Sequence, residues 1–306
     1  MRSFTIDAGG PVYVADYGGS GQVALLVHGL AGSHLTWMSV AGELARDHRV
    51  LAIDLPGFGR SPMAGRRATI SAGVTVLDRV IGRLADGPVV LMGNSMGGLI
   101  SLSVAAERSS KVAALVLVDP AVPLPRREVW RPDPFARAFM LAYALPRVGL
   151  RRLARRAVAL GPERIVREVL ALTTVDPSLI DPGLVAALIA LEGERLHGSE
   201  WPVAVYEASR SLLRTLALRR HFERWVAAVT VPTLLVHGRR DRLVSHRSAR
   251  AVADLRPDWE FHLLDDVGHV PMMEAPRQFL DVVEPWLHRL PSTWSASDDE
   301  RVGSVA

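Results

Sequence analysis

The sequence predicts an α/β fold with a mostly parallel central sheet, and three observations carry that expectation. Short continuous apolar runs recur through the first 120 residues, at Val23-Val27, Val50-Ile53, Val89-Met92 and Val112-Val118. Runs of that length without polar alternation suit strands covered on both faces. Stretches of helical character near residues 36–47, 73–86 and 95–108 separate them, and such alternation signals βα units. After a long gap two more strand-like runs follow, Thr233-His237 and Glu260-Leu264, so the sheet resumes late in the chain.

Taken in order, Val12-Tyr17 ends at Gly18-Gly19 and reads as an early strand. Past Asp119-Pro120, from 121 to 227, there is no convincing strand, only helical segments punctuated by Pro123, Pro125, Pro132, Pro134, Pro146, Pro162, Pro177, Pro182 and Pro202. A last helix is expected over 275–289, starting just before Pro276. The organisation expected is therefore a sheet-bearing core from 1–120 and 228–290, a helical insertion over 121–227, and a Ser- and Asp-rich tail over 291–306 that is expected to be mobile. There is no internal repeat.

Composition bounds the function. Of 306 residues, 49% are apolar and 22% charged, as in a globular protein able to bury a large core. Cysteine is absent, which excludes disulfides, thiolate metal sites and a cysteine nucleophile, and suits a reducing compartment. The start Met1-Asp7 has no apolar leader, and no run approaches 18 apolar residues, so a cytoplasmic location is expected. The net charge of +4 is almost all arginine on the basic side, Lys111 being the single lysine. GC-rich coding yields that bias without a functional cause, and no nucleic-acid motif accompanies it, so no nucleic-acid partner is expected.

The most informative stretch is Gly93-Asn94-Ser95-Met96-Gly97-Gly98, between the run ending at Met92 and the helical stretch beginning at Leu99. Glycines on both sides of a serine at a strand-to-helix turn describe a nucleophile elbow, where the strand and helix approach too closely for side chains and the serine is held in a strained conformation. The helix N-terminus places amide N–H groups beside the reacting oxygen. A serine hydroxyl needs a base, and the base an orienting acid. Asp241, after the returning strand, and His269, in the loop Gly268-His269-Val270-Pro271, supply them in the order Ser, Asp, His. Singly, Asp241 could cap a helix near Ser245 and His269 could be an ordinary structural histidine; jointly they read as catalytic. Asp119 is a second candidate acid, ranked below Asp241 because Pro120 and Pro123 mark an exit into the insertion. For the oxyanion, the backbone N–H groups of Met96 and Leu30 are the expected donors, with Gly29 and Gly32 letting the Leu30 loop turn toward the serine. His28 is expected to brace that loop.

These residues resemble the α/β-hydrolase superfamily, in its cap-bearing branch. The resemblance runs from about residue 4 to 289 through four ordered motifs: His28-Gly29, Asp54-Leu55-Pro56-Gly57-Phe58-Gly59-Arg60-Ser61, the elbow at Ser95, and Asp241 with Gly268-His269. It implies the α/β-hydrolase fold, a structural turn over Asp54-Ser61, and residues 121–227 as a helical cap inserted after the sixth strand. It also implies a Ser-His-Asp carboxylic ester hydrolase that needs no metal or organic cofactor. Serine at position 95 argues against the dehalogenase and epoxide hydrolase branches, which use an elbow aspartate. The runner-up is hydrolysis of carbon–carbon bonds in ring-fission products, whose enzymes share Gly-Asn-Ser-Met-Gly-Gly. Leu30-Ala31-Gly32-Ser33 lacks their Gly-Pro-Gly type loop, and Val270 stands where they typically carry tryptophan. Cofactor-free perhydrolases or haloperoxidases and aminopeptidases share similar motifs. A receptor-like binding module is the non-enzyme alternative, disfavoured because every catalytic part is in place.

The insertion hints at the substrate. Trp130, Phe135, Phe139, Met140, Leu141 and Tyr143 lie among Arg126, Arg127, Arg131, Arg137, Arg147, Arg151, Arg152, Arg155 and Arg156. One reading is a basic-aromatic surface making weak contact with anionic membrane or an acidic carrier protein. The other, favoured because arginine enrichment is chain-wide, is amphipathic cap helices with solvated arginines. Either way a small-molecule ester with an apolar acyl group is the expected substrate.

Overall fold

Eight strands pair into one sheet in the order β1-β2-β4-β3-β5-β6-β7-β8. They are β1 (Arg2–Asp7), β2 (Pro11–Gly18), β3 (Val23–Val27), β4 (Arg49–Ile53), β5 (Val89–Asn94), β6 (Val112–Val118), β7 (Thr233–Gly238) and β8 (Glu260–Leu264). The coordinates are a computed structural model that describes residues 1–125, 147–196, 198 and 200–290, without the side chains of 147–154 and 156–158. The first two strands run antiparallel to their neighbours and all other pairs are parallel. This is the α/β-hydrolase fold that the sequence predicts.

The order β4-β3-β5 fixes where a site can form. The chain leaves β3 toward one edge and returns to begin β5 on its other side. At such a switch point the loops after the two strands diverge and open a crevice at their C-terminal ends. The loop after β3 holds Leu30 and the turn after β5 holds Ser95.

Period-two alternation divides each strand between two apolar layers. Leu25, Val27, Val89 and Leu91 face one layer with α2 (Ile70–Leu84) and α3 (Met96–Glu107). Ala24, Leu26, Val90 and Met92 face the other, with α1 (Met38–Leu44). β1 is the strand that apolar patterning misses. Its side chains are almost all exposed, so main-chain pairing, from Arg2 opposite Asp16 to Asp7 opposite Pro11, holds this edge.

Among the described residues, only helices and short turns lie between β6 and β7. They are α4 (Arg147–Thr173, broken at Gly161 with φ 76°), α5 (Pro182–Leu196), α6 (Trp201–Ala217) and α7 (Arg219–Ala228). Carboxylates and a hydroxyl fasten α6 to the segment before α2. Glu200 and Glu207 accept from the amides of Met63 (2.7 Å) and Ala68 (3.1 Å), and Ser211 from that of Ile70 (3.0 Å). Trp130, Phe135, Phe139, Met140, Leu141, Tyr143, Arg126, Arg127, Arg131 and Arg137 lie outside the described residues, as does the tail 291–306. Arg155 is exposed. After β7 come α8 (His246–Ala253), then, beyond β8, α9 (Pro271–Glu274) and α10 (Pro276–His288).

Aromatic packing between α10 and the segment ahead of α1 closes the second layer. Trp37 and Phe279 are fully buried with ring centres 6.4 Å apart. Phe279→Ala is expected to lower the unfolding free energy by about 3–5 kcal/mol. Leu213→Ala, at a position 42% exposed, is expected to change it by under about 0.5 kcal/mol. Urea titration of both variants measures the contrast.

Candidate active site

The turn after β5 is built by the absence of side chains. A Cβ on Gly97 would lie 2.4 Å from both the Val27 and His28 carbonyl oxygens, and one on Gly93 would lie 2.5 Å from the Gly97 oxygen. Only glycine lets the first turn of α3 rest on the ends of β3 and β5. Between them Ser95 adopts φ 52°, ψ −116°, a conformation that costs a non-glycine residue about 1–3 kcal/mol. Three main-chain bonds hold it there: its N–H donates to Val118 O (3.0 Å), and its carbonyl accepts from Leu99 (3.1 Å) and Ala121 (3.0 Å). Asn94 and Met96 are buried while Ser95 itself is half-buried. Met96 opens α3, where amides lack intrahelical acceptors.

The loop after β3 lies against this turn. A Cβ on Gly29 would be 3.1 Å from the Ser95 Cβ. Gly29-Leu30-Ala31-Gly32 closes as a turn, with the Gly32 N–H donating to Gly29 O at 3.1 Å. Ala31 takes φ 59°, a left-handed conformation that costs an L-residue about 1–2 kcal/mol. His28 braces the loop as expected. Its Nδ1–H donates to Gly29 O (2.7 Å) and its Nε2 accepts from the Leu55 N–H (3.0 Å). That pattern requires the neutral ring, and burial lowers its pKa accordingly.

Asp241 and His269 meet, with His269 Nδ1 2.7 Å from Asp241 Oδ2. Asp241 Oδ1 accepts from the amides of Leu243 (2.7 Å) and Val244 (3.1 Å), while Ser245 caps α8. Asp241 therefore anchors its own turn and faces the histidine at once. His269 does sit in a loop, as its Gly and Pro neighbours predict, but that loop is buried, with His269 at 4% exposure. Its amide donates to Thr173 O at the end of α4 (2.7 Å). Asn94 Nδ2, beside Ser95, donates to the His269 carbonyl (3.1 Å) and to Val118 O (3.1 Å).

Asp119 lies in the same buried cluster and contacts different groups. Its Oδ1 accepts from the Gly238 amide at 2.9 Å and lies 3.5 Å from His237 Nε2. That nitrogen donates to Val244 O (3.1 Å) and stands 3.4 Å from Asp241 Oδ2. Asp119, His237 and Asp241 could together ligate a metal by spacing. The residue set fits poorly, since Asp241 Oδ2 already bonds His269 and His237 Nε2 carries the proton that Val244 accepts. Burial raises the Asp119 carboxyl well above the ordinary range, with Asp241 adding to the shift and His237 opposing it. Burial also acts to raise Asp241, but the charge and hydrogen bond of His269, with His237 close by, outweigh it and hold that carboxyl low. The environment thus shifts two neighbouring carboxyls in opposite directions, Asp119 up and Asp241 down.

Glu274 is a supporting group that sequence spacing does not reveal. Buried at 4% exposure, it accepts from the amides of Gly268 (2.7 Å), Val175 (2.5 Å) and Asp176 (3.0 Å). It therefore ties the His269 loop to the segment after α4.

Known proteins resemble the chain over most of its length. A family profile described as alpha/beta hydrolase fold matches residues 23–276. The 2-hydroxy-6-oxo-6-(2'-aminophenyl)hexa-2,4-dienoic acid hydrolase of Metapseudomonas resinovorans is 29% identical over 89% of this chain and 86% of its own. The pimeloyl-[acyl-carrier protein] methyl ester esterase of Aeromonas hydrophila is 25% identical over 87% of this chain and 95% of its own. Among solved structures, a thermophilic esterase from Thermogutta terrifontis superposes with TM-score 0.71 at 26% identity, covering 95% of this chain and 99% of that one.

The two carboxyls should pull stability in opposite directions with pH. Asp241 titrates lower in the folded chain than in the unfolded one, so it contributes stability above about pH 5 that fades as pH falls through its folded pKa. Asp119 titrates higher when folded, so it costs stability above about pH 4, and that cost disappears below it. Urea melts across the acid-to-neutral range are expected to show Asp241→Asn destabilised at neutral pH, with the deficit shrinking in acid. Asp119→Asn is expected to be neutral or stabilised at neutral pH.

Proposed function

Since this chain belongs to the α/β-hydrolase family, we propose that it is a carboxylic ester hydrolase working through Ser95, His269 and Asp241. The observation that carries the reading is the buried 2.7 Å contact between His269 Nδ1 and Asp241 Oδ2, set in a loop that Asn94 joins to the strained turn at Ser95. In this mechanism the Ser95 Oγ attacks the ester carbonyl and His269 Nε2 takes its proton. Ionised Asp241 stabilises the imidazolium. The N–H groups of Leu30 and Met96 receive the oxyanion. Collapse transfers the proton to the leaving alcohol and leaves an acyl group on Ser95. His269 then draws a proton from water, which attacks the acyl carbonyl, and returns it to Ser95 Oγ as the acyl–oxygen bond breaks and the acid leaves. Each step uses groups of the chain itself.

Residues 121–227 are the cap in this reading. The proposed substrate is a small ester with an apolar acyl group. The Aeromonas relative, named for a methyl ester of a carrier-bound acyl chain, supports that class, and the arginine-rich segment suits an acidic carrier protein as partner. No described helix is long and apolar enough to cross a membrane. Carbon–carbon bond hydrolysis is the second reading, favoured by the Metapseudomonas relative. Leu30-Ala31-Gly32-Ser33 and Val270 weigh toward the ester.

A panel of p-nitrophenyl esters of increasing chain length, run beside a ring-fission dienoate, tests the choice. Turnover rising from acetyl to medium-chain esters, with the dienoate untouched, is expected; the dienoate as the better substrate would favour the second reading. Fluorophosphonate labelling is expected for the native chain and absent in Ser95→Ala. Asp241→Asn is expected to lower kcat by about 10⁴-fold, far more than Asp119→Asn. The reverse ranking would move the acid role to Asp119.

A further inference from the structure

Among the described residues, one side chain of the helical insertion hydrogen-bonds the turn bearing Leu30. Arg195, in the last turn of α5, is paired with Glu192 one turn earlier, and the two side chains are only 9% and 10% exposed. Arg195 Nη1 donates to Glu192 Oε2 (3.1 Å) and to the Ala31 carbonyl (3.1 Å). Its guanidinium lies 5.9 Å from the centre of the Trp201 ring, and its Nε has no hydrogen-bond partner among the described residues. Pairing with Glu192 would balance its charge without any contact to a turn 164 residues away. A buried guanidinium with a donor left unused is costly to keep, so the bond to Ala31 calls for its own explanation.

The Ala31-Gly32 peptide supplies one. Its N–H closes the turn onto Gly29 O, and its carbonyl oxygen is the one Arg195 holds. Both ends of a single peptide plane are therefore fixed, immediately after the left-handed Ala31. Position i+2 of a turn with positive φ ordinarily goes to Gly or Asn, and an alanine stays there when its surroundings over-determine it.

We propose that Arg195 is a positioning residue that holds the oxyanion turn from the cap side, so that docking of α5 sets the aim of the Leu30 N–H. The proposal rests on the reading of Ser95 as nucleophile and Leu30 as oxyanion donor. Without the guanidinium, Ala31 relaxes toward negative φ and the donor leaves the line to the reacting oxygen. Small misplacements of that kind slow chemistry without weakening substrate binding.

The test compares a p-nitrophenyl ester with the matching thionoester in the native chain, Arg195→Met and Arg195→Lys, with thermal melts alongside. Sulfur is a weak acceptor, so the thionoester depends less on the oxyanion donors. For Arg195→Met, kcat on the oxoester is expected to fall about tenfold or more, with KM nearly unchanged and a much smaller loss on the thionoester. Arg195→Lys should recover part of the oxoester rate. Equal losses on both esters, or no loss, would overturn the proposal. If Arg195→Met does not fold, the same ratio is read on Arg195→Lys, whose shorter point charge should still shift it. A native chain that hydrolyses neither ester, or does not prefer the oxoester, would instead contradict the underlying ester-hydrolase reading.

Discussion

At the end of β3, two main-chain carbonyls lie where a Cβ on residue 97 would be, only 2.4 Å away. This near-contact between strand and helix is the constraint on which the rest of the site depends. It lets α3 start directly against the sheet, which forces Ser95 into a conformation that only surrounding bonds can hold. It also brings the loop after β3 against the same turn, since Gly29 packs on Ser95. The nucleophile candidate and both proposed oxyanion donors are thus set by one piece of backbone geometry. Asn94 carries the registration to the neighbouring β6 and to the loop after β8, by bonding the Val118 and His269 carbonyls.

On the other side of the crevice, burial decides the roles of the acids. Asp119 and Asp241 end adjacent regions of the sheet, and both are shut away from water. Burial and the nearby Asp241 charge push the Asp119 carboxyl up, with His237 between them opposing the shift. His269 and the Leu243 and Val244 amides stabilise the charge on Asp241. Asp119 has a single amide bond, and its Oδ2 has no partner among the described residues. The carboxyl held low is therefore the one beside His269.

Much of the fold was legible because burial on both faces writes itself as uninterrupted apolar runs. β3 to β8 fall close to those runs, and α3, buried over nearly its whole length, follows the elbow serine. β1 was hidden because an exposed edge strand needs only main-chain partners. In the site, Ser95, Asp241 and His269 could be picked out by residue type and order, and the structure joins the last two. Burial of His269 could not be read locally, since it comes from α4 and from Glu274 arranging the loop. Nor does the neighbourhood of Glu274, His237 or Arg195 announce a role, because each acts through partners far away in the chain. Such long-range polar contacts have no periodicity to betray them.

Trapping the covalent intermediate identifies the nucleophile. Rapid mixing of the native chain with a p-nitrophenyl ester, quenched in acid and followed by peptide mass spectrometry, reads both the nitrophenolate burst and the modified residue. A burst close to one equivalent per chain and an acyl adduct confined to the peptide containing Ser95 are expected. Steady turnover with Ser95 unmodified, or an adduct on another residue, would contradict Ser95 as the nucleophile.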